Sequence, residues 1–163
     1  MPAFPVEQTQ NAYLLIGSIT AHWSYVEMGI DQMTHAVYAR FNGKAIQPSF
    51  PGPFKTRIDF LRKSAQLPGL LKFKVELLSF ADTASKISSE RNSSIHGAIT
   101  NVAPSDVISL EAFKRRKGVS ELQRTEVTLA QFDELNTKIV TLAERSARLA
   151  NALIQFALTF PAK

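Results

Sequence analysis

Residues 88–100, which read SSERNSSIHGAIT, bring together three side chains that suit phosphate chemistry. Arg91 carries a permanent charge and a planar set of donors that matches a phosphate group. His96 can take or give a proton near neutral pH, and Asn92 adds an amide at the same helix end. On a continuous helix Asn92 and His96 lie about 40° apart, and Arg91 lies on the neighbouring face. Together these side chains suit phosphodiester chemistry that needs no metal.

The same three residues also have a purely structural interpretation. A histidine in the last turn of a helix is favoured by the helix dipole, and Asn and Ser are common near helix ends. Arg91 could simply pair with a buried carboxylate. Because Arg-x4-His is a weak pattern by itself, the spacing leaves both interpretations open.

Arg91 continues the apolar stripe of the helix that carries it. A charge on such a stripe is costly to bury unless it is paired or partly hydrated. We predict this third helix from about Pro68 to His96, with Gly97 as its C-terminal cap. Steps of three and four residues define the stripe, which consists of Leu70, Phe73, Leu77, Phe80, Ala84 and Ile87.

A long first helix is predicted from about Glu7 to Phe41, because proline is absent from residue 6 to residue 47 and apolar residues recur at helical spacing. Asn42-Gly43 is expected to end it in left-handed backbone. The predicted buried stripe consists of Ala12, Ile16, Ile19, Trp23, Val26, Ile30, Met33 and Val37.

Glu27 lies one turn after Trp23, at the margin of this stripe, and would need a cation if it were half-buried. Arg91 is the predicted partner, and a solvated Glu27 beside the stripe is the alternative. A spacing of four residues, which could indicate a metal site, relates Glu27, Asp31 and His35. Because there is no second histidine in this series, we prefer a solvated helix face to a metal site.

Two further helices complete the helical part of the prediction. A short second helix should begin at Pro53 and bury Phe54, Ile58, Leu61 and Ala65. Thr128 and Gln131 form a capping box for the last helix, which Pro161 should end. Its heptad stripe consists of Phe132, Leu135, Ile139, Leu142, Ser146, Leu149, Leu153, Phe156 and Phe160.

The helical periodicity stops over residues 98–127. DVISLEAFKRRKGVSELQRTEV is typical of two short strands around an RRKG turn, so a β-hairpin is expected here. The chain is therefore predicted to be mainly α, a four-helix bundle with a small β-hairpin insertion between the third and last helices.

Four consecutive cations, Lys114, Arg115, Arg116 and Lys117, stand at the tip of the predicted hairpin. They could contact nucleic-acid phosphates, although exposed charges in a turn often serve solubility alone. Only Phe113 lies beside them as an aromatic residue for stacking on bases, so the pattern is a weak nucleic-acid signature.

Composition limits the remaining possibilities. With 163 residues, 45% of them hydrophobic, the chain is expected to form a single domain over 1–163. A formal net charge of +5 is compatible with an anionic partner. The absence of cysteine excludes disulfides and thiolate chemistry. The apolar runs are too short for a membrane span or signal peptide, so a cytoplasmic protein without membrane contact is expected. We also expect no cofactor and no metal.

The segment RNSSIH resembles the Arg-x4-6-His signature of the HEPN superfamily, in which a polar residue, commonly asparagine, often follows the arginine directly. The chain is also similar to small bacterial proteins of this type in three further features. These are WSYVE in a long first helix, RN and HG near the end of a later helix, and a final amphipathic helix after a short insertion. The similarity spans most of the chain, and its specific elements are RNxxxHG and W-x3-E.

The resemblance implies a helical bundle and a metal-independent endoribonuclease that cuts single-stranded RNA in toxin–antitoxin or phage-defence systems. Arg91 would contact the phosphate, His96 would be the acid–base residue, and Asn92 would be the orienting or substrate-contacting amide; Ser93 and Ser94 receive no role. A homodimer with two such sites facing each other across a twofold axis is also implied, as are RNA and an antitoxin or other protein as partners. Because many HEPN proteins have lost activity, an inactive helical dimer that binds a protein or nucleotide is the alternative.

Overall fold

The computed structural model describes residues 6–95, 98–103, 105–116 and 119–159, without the side chains of 113–116 and 119. These residues are mainly helical and include one small three-stranded antiparallel sheet. In chain order the elements are α1 (Val6–Arg40), α2 (Gly43–Ile46), α3 (Phe54–Ser64), a 3-10 helix (Pro68–Phe73), α4 (Lys74–Ile95), β1 (Ala98–Val102), β2 (Val107–Arg116), β3 (Val119–Thr128) and α5 (Leu129–Ala157).

Helix α1 confirms the predicted first helix to within one residue at each end. Its predicted stripe is buried, apart from the half-buried Ile16. Asn42, with a φ of 59°, adopts the left-handed backbone that was expected to end the helix. The four-residue helix α2 follows at once and was not predicted, because a single helical turn leaves no periodicity in the sequence.

The third predicted helix begins later than expected. Pro68–Phe73 forms a 3-10 helix in which Leu70 N donates to Leu67 O at 2.8 Å, and α4 starts only at Lys74. The Pro68-Gly69 pair disfavours a regular α-helical turn at this point. Pro53 also differs slightly from its prediction, because it is the residue before α3 rather than its first residue.

Helix α5 begins with the predicted capping box. Thr128 N donates to Gln131 Oε1 at 2.8 Å, and Gln131 N donates to Thr128 Oγ1 at 3.2 Å, which satisfies two amide groups at the helix start. The heptad stripe from Phe132 to Leu153 is buried. The helix ends at Ala157, and the predicted end near Phe160 lies outside the described residues.

The sheet confirms the predicted hairpin and adds a strand to it. β2 and β3 pair in antiparallel register from Val107↔Thr128 to Arg116↔Val119, so both are longer than expected. β1 pairs with the other edge of β2, and its register shifts between Ile99 and Asn101, as at a β-bulge. This strand was missed because, of its five residues, only Val102 is buried.

The chain divides into two compact units. Unit 1 comprises Met1–Ala21 and Ile87–Lys138, and its core includes Ile19, Ile108 and Phe132. Unit 2 comprises His22–Lys86 and Ile139–Lys163. Trp23, Phe80, Leu142 and Leu149, which belong to the predicted stripes and were expected to be largely buried, all lie in the core of unit 2.

Across the described part of the chain, no helix combines the length and apolar character that crossing a membrane requires.

Candidate functional site

Arg91 and Asn92 lie in the last turns of α4, within unit 1. The Arg91 side chain is half-buried, as its place on the apolar stripe predicts, and its Nε atom is excluded from solvent. Its Nη1 atom donates a hydrogen bond to Oδ1 of the exposed Asn92 at 3.1 Å. The amide therefore restricts the direction in which the guanidinium group points.

The two serines inside the motif serve the helix backbone. Ser93 Oγ donates to Ser89 O at 3.0 Å, and Ser94 Oγ donates to Glu90 O at 2.9 Å. Helix α4 continues to Ile95. His96 and Gly97 lie outside the described residues, so the acid–base residue and the helix cap remain predictions.

A polar cleft of about 540 Å³ in unit 1 adjoins the motif on a different face of α4 from Arg91. Lys138 on α5 lies in this cleft, and its Nζ atom is 2.9 Å from Glu134 Oε1 and 3.4 Å from Glu90 Oε2. The cleft is lined by Ser89, Glu90, Ser93, Ser94, Thr125, Glu126, Val127, Gln131, Glu134, Leu135 and Lys138.

The charges of this cleft disfavour a phosphate. Three carboxylates face one ammonium group, so the lining is negative overall. The hydrogen bond from Lys138 lowers the pKa of Glu134, and the same bond raises the pKa of Lys138. Both groups therefore stay charged near neutral pH, and Arg91 does not line the cleft. The i,i+4 spacing of Glu134 and Lys138 could have indicated this pair from the sequence, whereas the contact with Glu90 on α4 could not.

Glu27 has a clear partner within unit 2. The indole Nε1 of Trp23 donates to Glu27 Oε1 at 3.1 Å, and the Trp23 ring packs against Phe54 with ring centroids 5.3 Å apart. The W-x3-E element therefore satisfies the only polar atom of a buried indole. Arg91 belongs to unit 1, and its predicted pairing with Glu27 stays a prediction.

The other two members of the Glu27, Asp31, His35 series make structural contacts. Asp31 forms an ion pair with Arg57 of α3, and the His35 ring stacks on Phe50 at a centroid distance of 4.3 Å. In the described ranges, no three or more His, Asp or Glu side chains are grouped so that they could hold a metal ion.

The basic run is only partly described. Lys114, Arg115 and Arg116 are the last residues of β2 and pair in register with Glu121, Ser120 and Val119 of β3. Their backbone therefore lies at the end of the hairpin, as predicted. Lys117 lies outside the described residues.

Comparison with family models, curated proteins and solved structures finds nothing that matches this chain. Support for a function therefore comes from the residues themselves, above all from the oriented guanidinium group of Arg91 beside Asn92.

Proposed function

We propose that the chain is a HEPN-like, metal-independent endoribonuclease that cleaves single-stranded RNA. The observation that carries this proposal is the Arg91–Asn92 hydrogen bond, which orients a permanently charged, fork-shaped donor at the end of α4. An exposed Asn92 beside a half-buried Arg91 leaves a substrate access to the amide. His96 follows Arg91 by five residues in the same sequence motif.

The reaction needs only proton transfer and charge stabilisation from the protein. The 2′-hydroxyl of the RNA attacks the adjacent phosphorus, the bond from phosphorus to the 5′-oxygen breaks, and the products carry a 2′,3′-cyclic phosphate and a free 5′-hydroxyl. His96 takes the proton from the 2′-hydroxyl or delivers one to the leaving 5′-oxygen. Arg91 stabilises the charge that develops on the non-bridging phosphate oxygens.

We propose the bundle, the homodimer and its partners from the same resemblance. Helices α1, α3, α4 and α5 would form the HEPN-like four-helix bundle, with the sheet inserted between α4 and α5. The protein would act as a cytoplasmic homodimer in toxin–antitoxin or phage defence, with RNA as substrate and an antitoxin as protein partner. A net charge of +5 and the basic run Lys114–Lys117 would favour contacts with the RNA backbone.

An inactive binding module is the second candidate, and the polar cleft favours it. A volume of about 540 Å³ beside the motif, lined by hydroxyl, amide and carboxylate groups, could hold a nucleoside or a protein segment without any reaction. The negative lining would select neutral or cationic groups over phosphates.

A cleavage assay tests the proposal. A labelled single-stranded RNA is incubated with the protein with and without EDTA, beside a DNA of the same sequence. The proposed mechanism predicts equal RNA cleavage in both buffers, a 2′,3′-cyclic phosphate product, and intact DNA, which lacks the 2′-hydroxyl. Cleavage that EDTA abolishes, or equal cleavage of DNA, would contradict the mechanism. RNA that stays intact in both buffers would favour the second candidate.

A further inference from the structure

The polar cleft of unit 1 combines a charged rim with an apolar floor. Val127 of β3 and Leu135 of α5 line the cleft, and both are buried, with 9% and 5% of their surface exposed. Its volume of about 540 Å³ lies in the range of small-molecule sites. An aliphatic floor suits the apolar face of a planar ring, and the polar groups of the rim are then left to bond the edge of that ring.

The rim presents one donor between two acceptors. Lys138 Nζ lies 2.9 Å from Glu134 Oε1 and 3.4 Å from Glu90 Oε2. An ammonium group has three N–H donors, so these two contacts leave one N–H for a ligand. Among the described residues, Lys138 is the only hydrogen-bond or ion-pair partner of the Glu90 carboxylate, which leaves Oε1 of Glu90 able to accept from a ligand. A carboxylate acceptor and an ammonium donor therefore lie side by side.

This arrangement matches the Watson–Crick edge of guanine. Guanine carries the acceptor O6 next to two donors, the N1–H group and the N2 amino group. The two oxygens of the Glu90 carboxylate can accept from both donors, as in other bidentate carboxylate pairs, while Lys138 donates to O6. Adenine, cytosine and uracil lack two adjacent donors on this edge, so each of them makes fewer of these bonds.

The charge of the cleft decides which part of a nucleotide can enter it. Three carboxylates against one ammonium group repel a phosphate but do not repel a neutral base. Single-stranded RNA can place an unstacked base in a pocket while its backbone stays outside. Glu90 lines the cleft and precedes Arg91 in α4, so one helix carries both the base contact and the proposed phosphate contact.

We propose that this cleft is the base-recognition pocket of the protein and that it selects guanine, with Glu90 accepting from N1–H and the N2 amino group and Lys138 donating to O6. As a pocket for a base of the RNA substrate, the assignment rests on the proposed ribonuclease function. Binding of the base itself can be measured without any cleavage.

Nucleoside binding tests the pocket directly, because guanosine carries no phosphate. NMR titration of the intact protein gives the Kd for guanosine, inosine, adenosine and cytidine. Guanosine should bind about tenfold more tightly than inosine, which lacks only the N2 amino group and so loses one hydrogen bond to a charged carboxylate. Adenosine and cytidine should bind no better than inosine. Guanosine that binds no more tightly than inosine, or that does not bind, would overturn the proposal.

Glu90→Gln tests the acceptor. A side-chain amide offers one oxygen and one NH2 group in place of two acceptors, so the guanosine Kd should rise about tenfold and the preference over inosine should disappear. Glu144→Gln is the matched control, since it removes the same charge from an exposed position of α5 that does not line the cleft. The control should keep the wild-type Kd. Equal effects of the two substitutions would contradict the role of Glu90.

Cleavage separates this inference from the proposed function. In a single-stranded RNA with one guanosine, replacing that guanosine by inosine should lower the rate of cleavage at that site by about tenfold. A protein that prefers guanosine but leaves RNA intact would overturn the ribonuclease alone. A protein that cleaves RNA equally beside every base and shows no preference among the nucleosides would overturn the guanine pocket alone.

Discussion

Gly29 of α1 and Ser146 of α5 pack so closely that a β-carbon on the glycine would overlap the serine hydroxyl. The Ser146 side chain is fully buried, and its hydroxyl already donates to Val26 O at 3.2 Å. The close approach of the two helices in unit 2 therefore depends on a residue without a side chain at position 29.

Gly29→Ala should lower the free energy of unfolding by about 1–3 kcal/mol, because an added methyl group would force the buried serine to move. Gly17→Ala in the same helix is the matched control, since a β-carbon there meets nothing within 4 Å. The control should stabilise the protein by about 0.5–1 kcal/mol through helix propensity. Urea denaturation measures both changes. Equal effects of the two substitutions would show that the helices are not closely packed at Gly29.

Leu142→Ala should be strongly destabilising, because Leu142 is only 2% exposed and its stripe forms the buried face of α5. Loss of a buried leucine costs about 2–5 kcal/mol, which corresponds to a fall in Tm of roughly 4–20 °C for a chain of this size. Leu158→Ala, at a position 64% exposed, is the control and should leave the Tm nearly unchanged. Calorimetry that shows the same Tm for Leu142→Ala and the wild type would place Leu142 outside the core.

The long helices could be predicted because their buried positions repeat over many turns, as from Ala12 to Val37 in α1. Elements of four or five residues gave no such signal. Helix α2 is a single turn, and β1 buries only Val102, so neither has a periodicity that a sequence reveals. The β2–β3 hairpin was recognisable from its turn and its β-branched residues.

Arg62 connects α3 to α4 within unit 2. Its guanidinium group donates to Asp82 Oδ1 from Nε at 3.1 Å and from Nη2 at 3.0 Å, and also to Asp59 Oδ1 at 3.0 Å and Ser85 Oγ at 2.9 Å. Arg62→Lys should destabilise the protein by about 1 kcal/mol, because an ammonium group cannot reproduce this planar set of donors and the site is partly hydrated. Lys63→Ala, at an exposed position, should change stability by less than about 0.5 kcal/mol. Denaturation curves that rank the two variants in the opposite order would exclude a stabilising role for Arg62.

Glu134 should titrate below the usual glutamate range, because Lys138 donates a hydrogen bond that lowers its pKa. A carboxyl group whose pKa is lower in the folded state stabilises the fold above its unfolded pKa of about 4.3, and this contribution is lost as the pH falls through the lowered value. Lys138→Met should return the pKa of Glu134 towards its ordinary value, whereas Thr137→Met on the next residue should not. Carboxyl NMR titration distinguishes these outcomes, and the same pKa in both variants would exclude the Lys138 hydrogen bond as the cause.

For the candidate site, the sequence indicated the motif but not its surroundings. The half-buried position of Arg91 follows from the stripe that it continues, and its bond to Asn92 joins neighbouring residues. The contact of Lys138 with Glu90 joins positions 48 apart, and no local pattern specifies such a pair.

The rate of RNA cleavage by His96→Ala, relative to the wild type, tests the proposed function most directly. Ser93→Ala is the matched control, because Ser93 lies within the same motif and its hydroxyl donates to the backbone carbonyl of Ser89. Loss of general acid–base catalysis should reduce the rate by about 10²–10⁴-fold in the His96 variant and leave the control near the wild-type rate, with both proteins equally folded. Wild-type cleavage by folded His96→Ala protein would contradict the assignment of this motif to catalysis.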